Sequence, residues 1–127
     1  MTIKKKILLI EDDLVLLKAV SGALEKEGFD VFTAIDGETG IKSIEENNPN
    51  LVILDIILPK KNGYEIMEYV KLKPELAVIP VVILTNLEGA ADVERMLSLG
   101  ARAFLVKANY TIEEIVEAIK RILETVR

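Results

Sequence analysis

Five short apolar runs punctuate the chain: Ile7–Ile10, Val31–Ala34, Leu51–Leu54, Val81–Leu84 and Ala103–Val106. Three of them are nearly continuous and lack polar alternation. Strands buried on both faces read this way, as in a parallel sheet covered by helices. Helical patterns fill the gaps. Leu14, Leu17, Val20 and Leu24 recur at helical spacing, and Gly28 stops that helix. Asp36-Gly37 opens a weaker helix with Ile41 and Ile44, ended by Asn47-Asn48-Pro49. Asn62-Gly63 opens a third, with Ile66, Met67 and Val70, ended before Pro74. A fourth carries Val93, Met96 and Leu97, and Gly100 closes it. The fifth is the clearest. Thr111 and Glu114 have capping-box spacing, and Ile112, Ile115, Val116, Ile119, Ile122, Leu123 and Val126 trace one apolar stripe.

Strand and helix thus alternate five times. The pattern predicts an α/β fold, a doubly wound (βα)5 three-layer sandwich with helices on both faces. Right-handed crossovers make the flavodoxin-like strand order 2-1-3-4-5 the expectation. The 127 residues fit one domain, and the fifth helix ends the chain, so residues 1–127 are expected to form a single domain with no output domain.

Composition narrows the chemistry. The chain has no Cys, no His and no Trp. That excludes a disulfide framework, a thiol nucleophile, a zinc–thiolate site and an imidazole base. Any metal site must be built from oxygens, which selects hard cations. Sixteen basic and 21 acidic residues give a net charge of −5, which argues against direct nucleic-acid or anionic-membrane binding. The apolar start, Ile7–Ile10, runs straight into Glu11-Asp12-Asp13 and is too short for a signal peptide or a membrane span. A cytoplasmic location is expected.

In open α/β sheets, function collects beyond the carboxyl ends of the strands, at the switch point between the first and third. Glu11, Asp12 and Asp13 follow the first run, Asp55 the third, Thr85 and Asn86 the fourth, and Lys107 the fifth. Singly, each has a plain structural reading. Asp13 can cap a helix, a strand-end Thr is ordinary, and a terminal Lys can reach solvent. Together they are harder to dismiss. Two carboxylates about 4 Å apart repel by about 4 kcal/mol at an effective dielectric near 20. Glu11, Asp12 and Asp55 at one switch point would need cations, with Lys107 as one and a divalent ion as another. Magnesium suits a site with few carboxylates, retained waters and positions open to phosphate oxygens. Such a set reads as a phosphoryl-transfer site with a carboxylate nucleophile.

The motifs I-L-L-I-E-D-D, L-V-I-L-D-I-I-L-P-K-K-N-G, V-V-I-L-T-N and G-A-R-A-F-L-V-K together resemble the receiver domain of bacterial two-component response regulators. The resemblance runs over essentially the whole chain. It implies that Asp55 accepts a phosphoryl group from a phosphohistidine on a sensor histidine kinase or phosphotransfer protein. It implies Asp12 as a direct Mg2+ (or Mn2+) ligand, Glu11 as its partner through water, and the Ile57 carbonyl as a further ligand. Thr85 and Lys107 would hold the phosphoryl oxygens, and Phe104 matches an aromatic switch position that follows Thr85. Asp13 falls one place beyond the acidic pair and is expected to cap a helix. The output would be contact with a downstream protein through the fourth helix, fifth strand and fifth helix; a receiver cut from a larger regulator or a hybrid kinase would carry the same residues. The chain would be a monomer or a weak phosphorylation-dependent homodimer, with Ile122 or Leu123 at an edge of that surface, and would not be a turnover enzyme.

The chain departs from the family pattern in three ways. Ala108 stands where a Pro after the Lys is usual, so a cis bond there is not expected. Asn86 stands where a small residue is usual. Ile57 and Leu87, at positions that tune hydrolysis in similar proteins, are apolar and cannot orient a water, which implies slow loss of the phosphoryl group. Other chemistries fit less well. An aspartate-nucleophile phosphatase of the haloacid-dehalogenase type needs a second Asp where Ile57 stands, and its nucleophile belongs on the first strand. A flavin carrier needs a phosphate cradle where three carboxylates lie. A receiver-like module that no longer takes phosphate is the alternative that Ala108 and Asn86 leave open, with the acid, Asp, Thr and Lys set arguing against it.

Overall fold

The computed structural model describes residues 3–125. Five strands, β1 (Lys6–Ile10), β2 (Asp30–Ala34), β3 (Leu51–Leu54), β4 (Val81–Thr85) and β5 (Ala103–Val106), form one parallel sheet. Their order is β2-β1-β3-β4-β5, as the alternation predicts. The helices are α1 (Leu14–Lys26), α2 (Gly37–Asn47), α3 (Gly63–Leu72), α4 (Pro74–Ala77), α5 (Ala90–Ser98) and α6 (Ile112–Thr125). A single 3-10 turn, Lys107–Asn109, follows β5. Among the described residues, no helix is long and apolar enough to cross a membrane.

Strand alternation splits the core in two. Ile7, Leu9, Leu51, Ile53, Val82 and Leu84 point one way and pack against Leu17, Val20 and Leu24 of α1 and Ile115, Val116 and Ile119 of α6. Leu8, Ile10, Val52, Leu54, Val81 and Ile83 point the other way, against Ile44 of α2, Ile66, Met67 and Val70 of α3, and Met96 of α5. The central strands β3 and β4 are buried at every position, whereas the edge strands β2 and β5 are only partly covered. This is why the continuous apolar runs are the inner strands.

Caps set the helix starts. Asp13 accepts from the N–H groups of Val15 (3.0 Å) and Leu16 (3.3 Å), the capping role expected of it. Asp36 accepts from Thr39 N–H at 2.8 Å, a bond that holds its carboxyl below the usual range. Thr111 and Glu114 form the expected capping box, with bonds of 2.8 and 3.1 Å.

Some expectations fail locally. Leu14 is 56% exposed and Leu97 48% exposed, so neither joins its helix's buried stripe. Leu14 opens α1 at the level of the strand ends, where the sheet no longer offers a surface. Leu97 lies one residue beyond Met96, about 100° around the helix from the buried side. The chain also resumes a helical turn, α4, directly at Pro74, which sits at the first position where its missing N–H is harmless. Val126 lies outside the described residues.

Candidate functional site

Register brings the acidic residues together. Ile10 pairs with Leu54, and Asp55 N–H donates to Ile10 C=O at 3.2 Å, so Glu11 and Asp55 leave the sheet side by side. Leu54 pairs with Ile83, and Thr85 with Val106, which places Thr85 and Lys107 on the next two strand ends. A cleft of about 330 Å³ opens there, lined by Glu11, Asp12, Asp13, Asp55, Ile57, Thr85, Asn86, Leu87 and Lys107. A larger groove of about 630 Å³ runs between α1 and α6, bridged by one ion pair, Lys120 Nζ 2.8 Å from Glu27. The smaller cleft is where charges converge.

Lys107 is the pivot. Its Nζ donates to Asp55 Oδ2 at 2.7 Å and lies 2.8 Å from Glu11 Oε1. Burial works against its charge, but the two carboxylates outweigh burial and hold its pKa above the ordinary lysine value. Glu11 is 1% exposed, and that burial pushes its carboxyl above the usual range despite bonds from Lys107 and Asp13 N–H. Asp55 is 6% exposed. Its second oxygen, Oδ1, is held only loosely, by Ile57 N–H at 3.4 Å. Asp12 is exposed to solvent. One carboxylate oxygen from each of Glu11, Asp12 and Asp55 falls within 4.8 Å of the others. Three carboxylates against one ammonium leave a net negative pocket, and the donor set is all oxygen. Both features fit a hard divalent cation.

Two glycines fix the loop that carries Asp55. A Cβ on Gly63 would lie 2.7 Å from Asp55 O and 2.7 Å from Ile56 Cα, so α3 starts in direct backbone contact with that loop. Gly63 N–H donates to Ile56 C=O at 2.8 Å. A Cβ on Gly37 would fall 1.9 Å from Lys61 O, so α2 closes on the same loop from the other side.

The model of the response regulator receiver domain matches residues 7–120. This chain belongs to that family. Its receiver domain is 36% identical over 120 residues to the gliding motility regulatory protein of Myxococcus xanthus, covering 94% of this chain but 15% of that protein. The chain therefore spans a small part of that relative's length. A CheY-like receiver domain protein from Methanospirillum hungatei has a crystal structure 30% identical to it, with a TM-score of 0.87, covering 96% of this chain and 95% of that one. The Mn2+-bound form of response regulator Rcp1 is 32% identical, with a TM-score of 0.84 and 97% of each chain covered. Receiver domains are signalling switches rather than turnover enzymes.

Thr85 is 1% exposed, and its Oγ1 accepts from Leu87 N–H at 3.4 Å. It ends β4 on the same face as Ile83, and Ile83 pairs with Phe104. Phe104 is half-buried and packs on that side of the core. Ile57 and Leu87 both line the cleft, with Ile57 largely exposed. The Lys107–Ala108 bond is trans. Ile122 and Leu123 are only half-buried against the α1 and α6 core.

Sequence reasoning missed one cluster. Tyr64 and Glu68 of α3 face Asp92 and Arg95 of α5. Tyr64 Oη donates to Asp92, Arg95 stacks 4.0 Å from the Tyr64 ring centroid, and Arg95 reaches Glu68 at 3.3 Å. The only trace in the sequence is spacing: four residues apart on one helix and three on the other, each pair on one face.

Proposed function

We propose that this receiver domain is a phosphoacceptor switch in a two-component pathway. Asp55 takes a phosphoryl group from a phosphohistidine on a partner kinase or phosphotransfer protein. The observation that carries this reading is Lys107 held at 2.7 Å from Asp55 and 2.8 Å from Glu11, beside Asp12. That is a carboxylate set only partly neutralised by one ammonium, with charge left for one more cation.

An Asp55 carboxylate oxygen attacks phosphorus. An O–P bond forms, the N–P bond breaks, and the electron pair leaves on the imidazole nitrogen. Asp55 Oδ1, with one weak bond, is the less committed oxygen. Lys107 fixes the carboxylate through Oδ2 and stays close to the equatorial oxygens, where charge persists after transfer. Thr85 Oγ1 is tied to its own loop at 3.4 Å and is free to turn its hydroxyl to a phosphoryl oxygen. Asp12 and Asp55 would hold Mg2+ directly, Glu11 through water, with the Ile57 carbonyl completing the protein's share. When bound, the ion neutralises carboxylate charge and draws phosphoryl oxygens into line. Mn2+ would be held by the same oxygens.

Phosphorylation then shifts Thr85 and the loop after β4, and the change is read at the α5, β5 and α6 surface by a downstream protein. Apolar Ile57 and Leu87 line the cleft and offer no group to orient a water. The label should therefore persist for minutes once donor is removed, and loss within seconds would contradict this. The direct test is NMR with magnesium and beryllofluoride, a phosphoryl mimic. Shifts should spread from Asp55 to Thr85, Asn86–Gly89 and Phe104. Shifts that stay unchanged, or that persist in Asp55→Asn, would overturn the reading.

A further inference from the structure

Helix α5 is the helix least anchored by the core. It buries one residue of nine, Met96, whereas α3 buries four of ten. Its N-cap is Gly89, with no side-chain cap bond. Only the segment Asn86–Gly89 separates it from Thr85 at the end of β4. Any closure of that segment over Asp55 pulls on the start of α5.

Four side chains make up for the thin anchoring. Tyr64 Oη donates to Asp92, on the first turn of α5. The Arg95 guanidinium lies 4.0 Å from the Tyr64 ring centroid and 3.3 Å from Glu68. Tyr64 is the second residue of α3, next to Gly63, which lies against the Asp55 backbone. The cluster therefore ties the start of α5 to the very point where the Asp55 loop meets α3.

We propose that the Tyr64–Asp92–Arg95–Glu68 cluster is a latch that holds α5 in its resting position and must release for the phosphorylated state to form. The coupling half of this proposal rests on the reading of Asp55 as phosphoacceptor. The resting-position half does not. The latch is local to α3 and α5, and each bond in it is weak enough to exchange. A Tyr–carboxylate hydrogen bond plus one cation–π contact can bias a two-state helix without locking it.

The test is Tyr64→Phe, which keeps the ring that packs on the core and under Arg95 and removes only the hydroxyl. Asp92→Asn is the second variant, in case the first rearranges. Hydrogen exchange of residues 90–98, without metal or donor, reads the latch alone. Exchange there should quicken about fivefold in both variants, with the sheet unchanged. Magnesium–beryllofluoride titration reads the coupling. Its apparent affinity should rise by about the same factor, because a larger fraction of molecules is already competent. Unchanged exchange in α5 would overturn the latch. Faster exchange with unchanged or weaker beryllofluoride binding would overturn its role in switching. A wild type that ignores beryllofluoride would sink the phosphoacceptor reading and, with it, the coupling half.

Discussion

Lys107 serves two carboxylates at once, and its loss should be felt before any phosphoryl chemistry. In Lys107→Met, buried Glu11 and Asp55 face each other without their shared cation. Breaking a fully buried pair costs about 3–5 kcal/mol, and the open cleft lowers that to about 2 kcal/mol here. Urea denaturation without metal should show this loss, and magnesium should recover part of it. A stability equal to wild type would mean that Lys107 carries little of the site's charge balance. Tyr64 supplies a second residue-scale test, in the alkaline range. Burial, then the bond to Asp92, pushes its pKa to about 12. The folded value lies above the ordinary 10, so the native state keeps this proton longer than the unfolded chain. Its contribution is complete below about pH 10 and is lost as pH rises towards 12. Stability measured across that window should fall in wild type more steeply than in Tyr64→Phe.

Among the elements, α3 matters more than its ordinary sequence suggests. Gly63→Ala would force a Cβ to within 2.7 Å of backbone on the Asp55 loop. Neither contact is the tip of a flexible side chain, so helix or loop must move. A loss of about 2 kcal/mol is expected, with slower phosphorylation of Asp55. Normal stability and normal rate would show that the loop has slack. The strands and most helices were legible in the sequence, because apolar runs and caps are local signals. So were Glu11, Asp12, Asp55, Thr85 and Lys107, each one or two residues beyond an apolar run that the pattern marks. The latch was not legible, because Tyr64 and Asp92 are 28 residues apart and meet only through the packing of two helices. The exposure of Leu14 and Leu97 was missed for a related reason. Helical spacing shows which residues share a face, but not where the neighbouring sheet stops.

Across the whole molecule, the sheet holds its strand ends in register, and the site lies across four of them, those of β1, β3, β4 and β5. A divalent cation binding there should stabilise the entire domain, because the ligands come from the ends of separate strands. At about 100 times its Kd, magnesium should add about 2.7 kcal/mol to unfolding. Asp12→Asn should remove most of that gain while leaving the metal-free protein folded. A gain that survives in Asp12→Asn would place the ion elsewhere. None of the 127 residues is His, so a phosphohistidine donor would have to lie outside them.

The central claim is covalent, and intact-mass spectrometry tests it most directly. Wild type, incubated with magnesium and acetyl phosphate, should gain one phosphoryl group, mapped to the peptide carrying Asp55. Asp55→Asn should gain none, and chelation of the metal should abolish the gain in wild type. No gain in wild type, or the same gain in Asp55→Asn, would contradict the account.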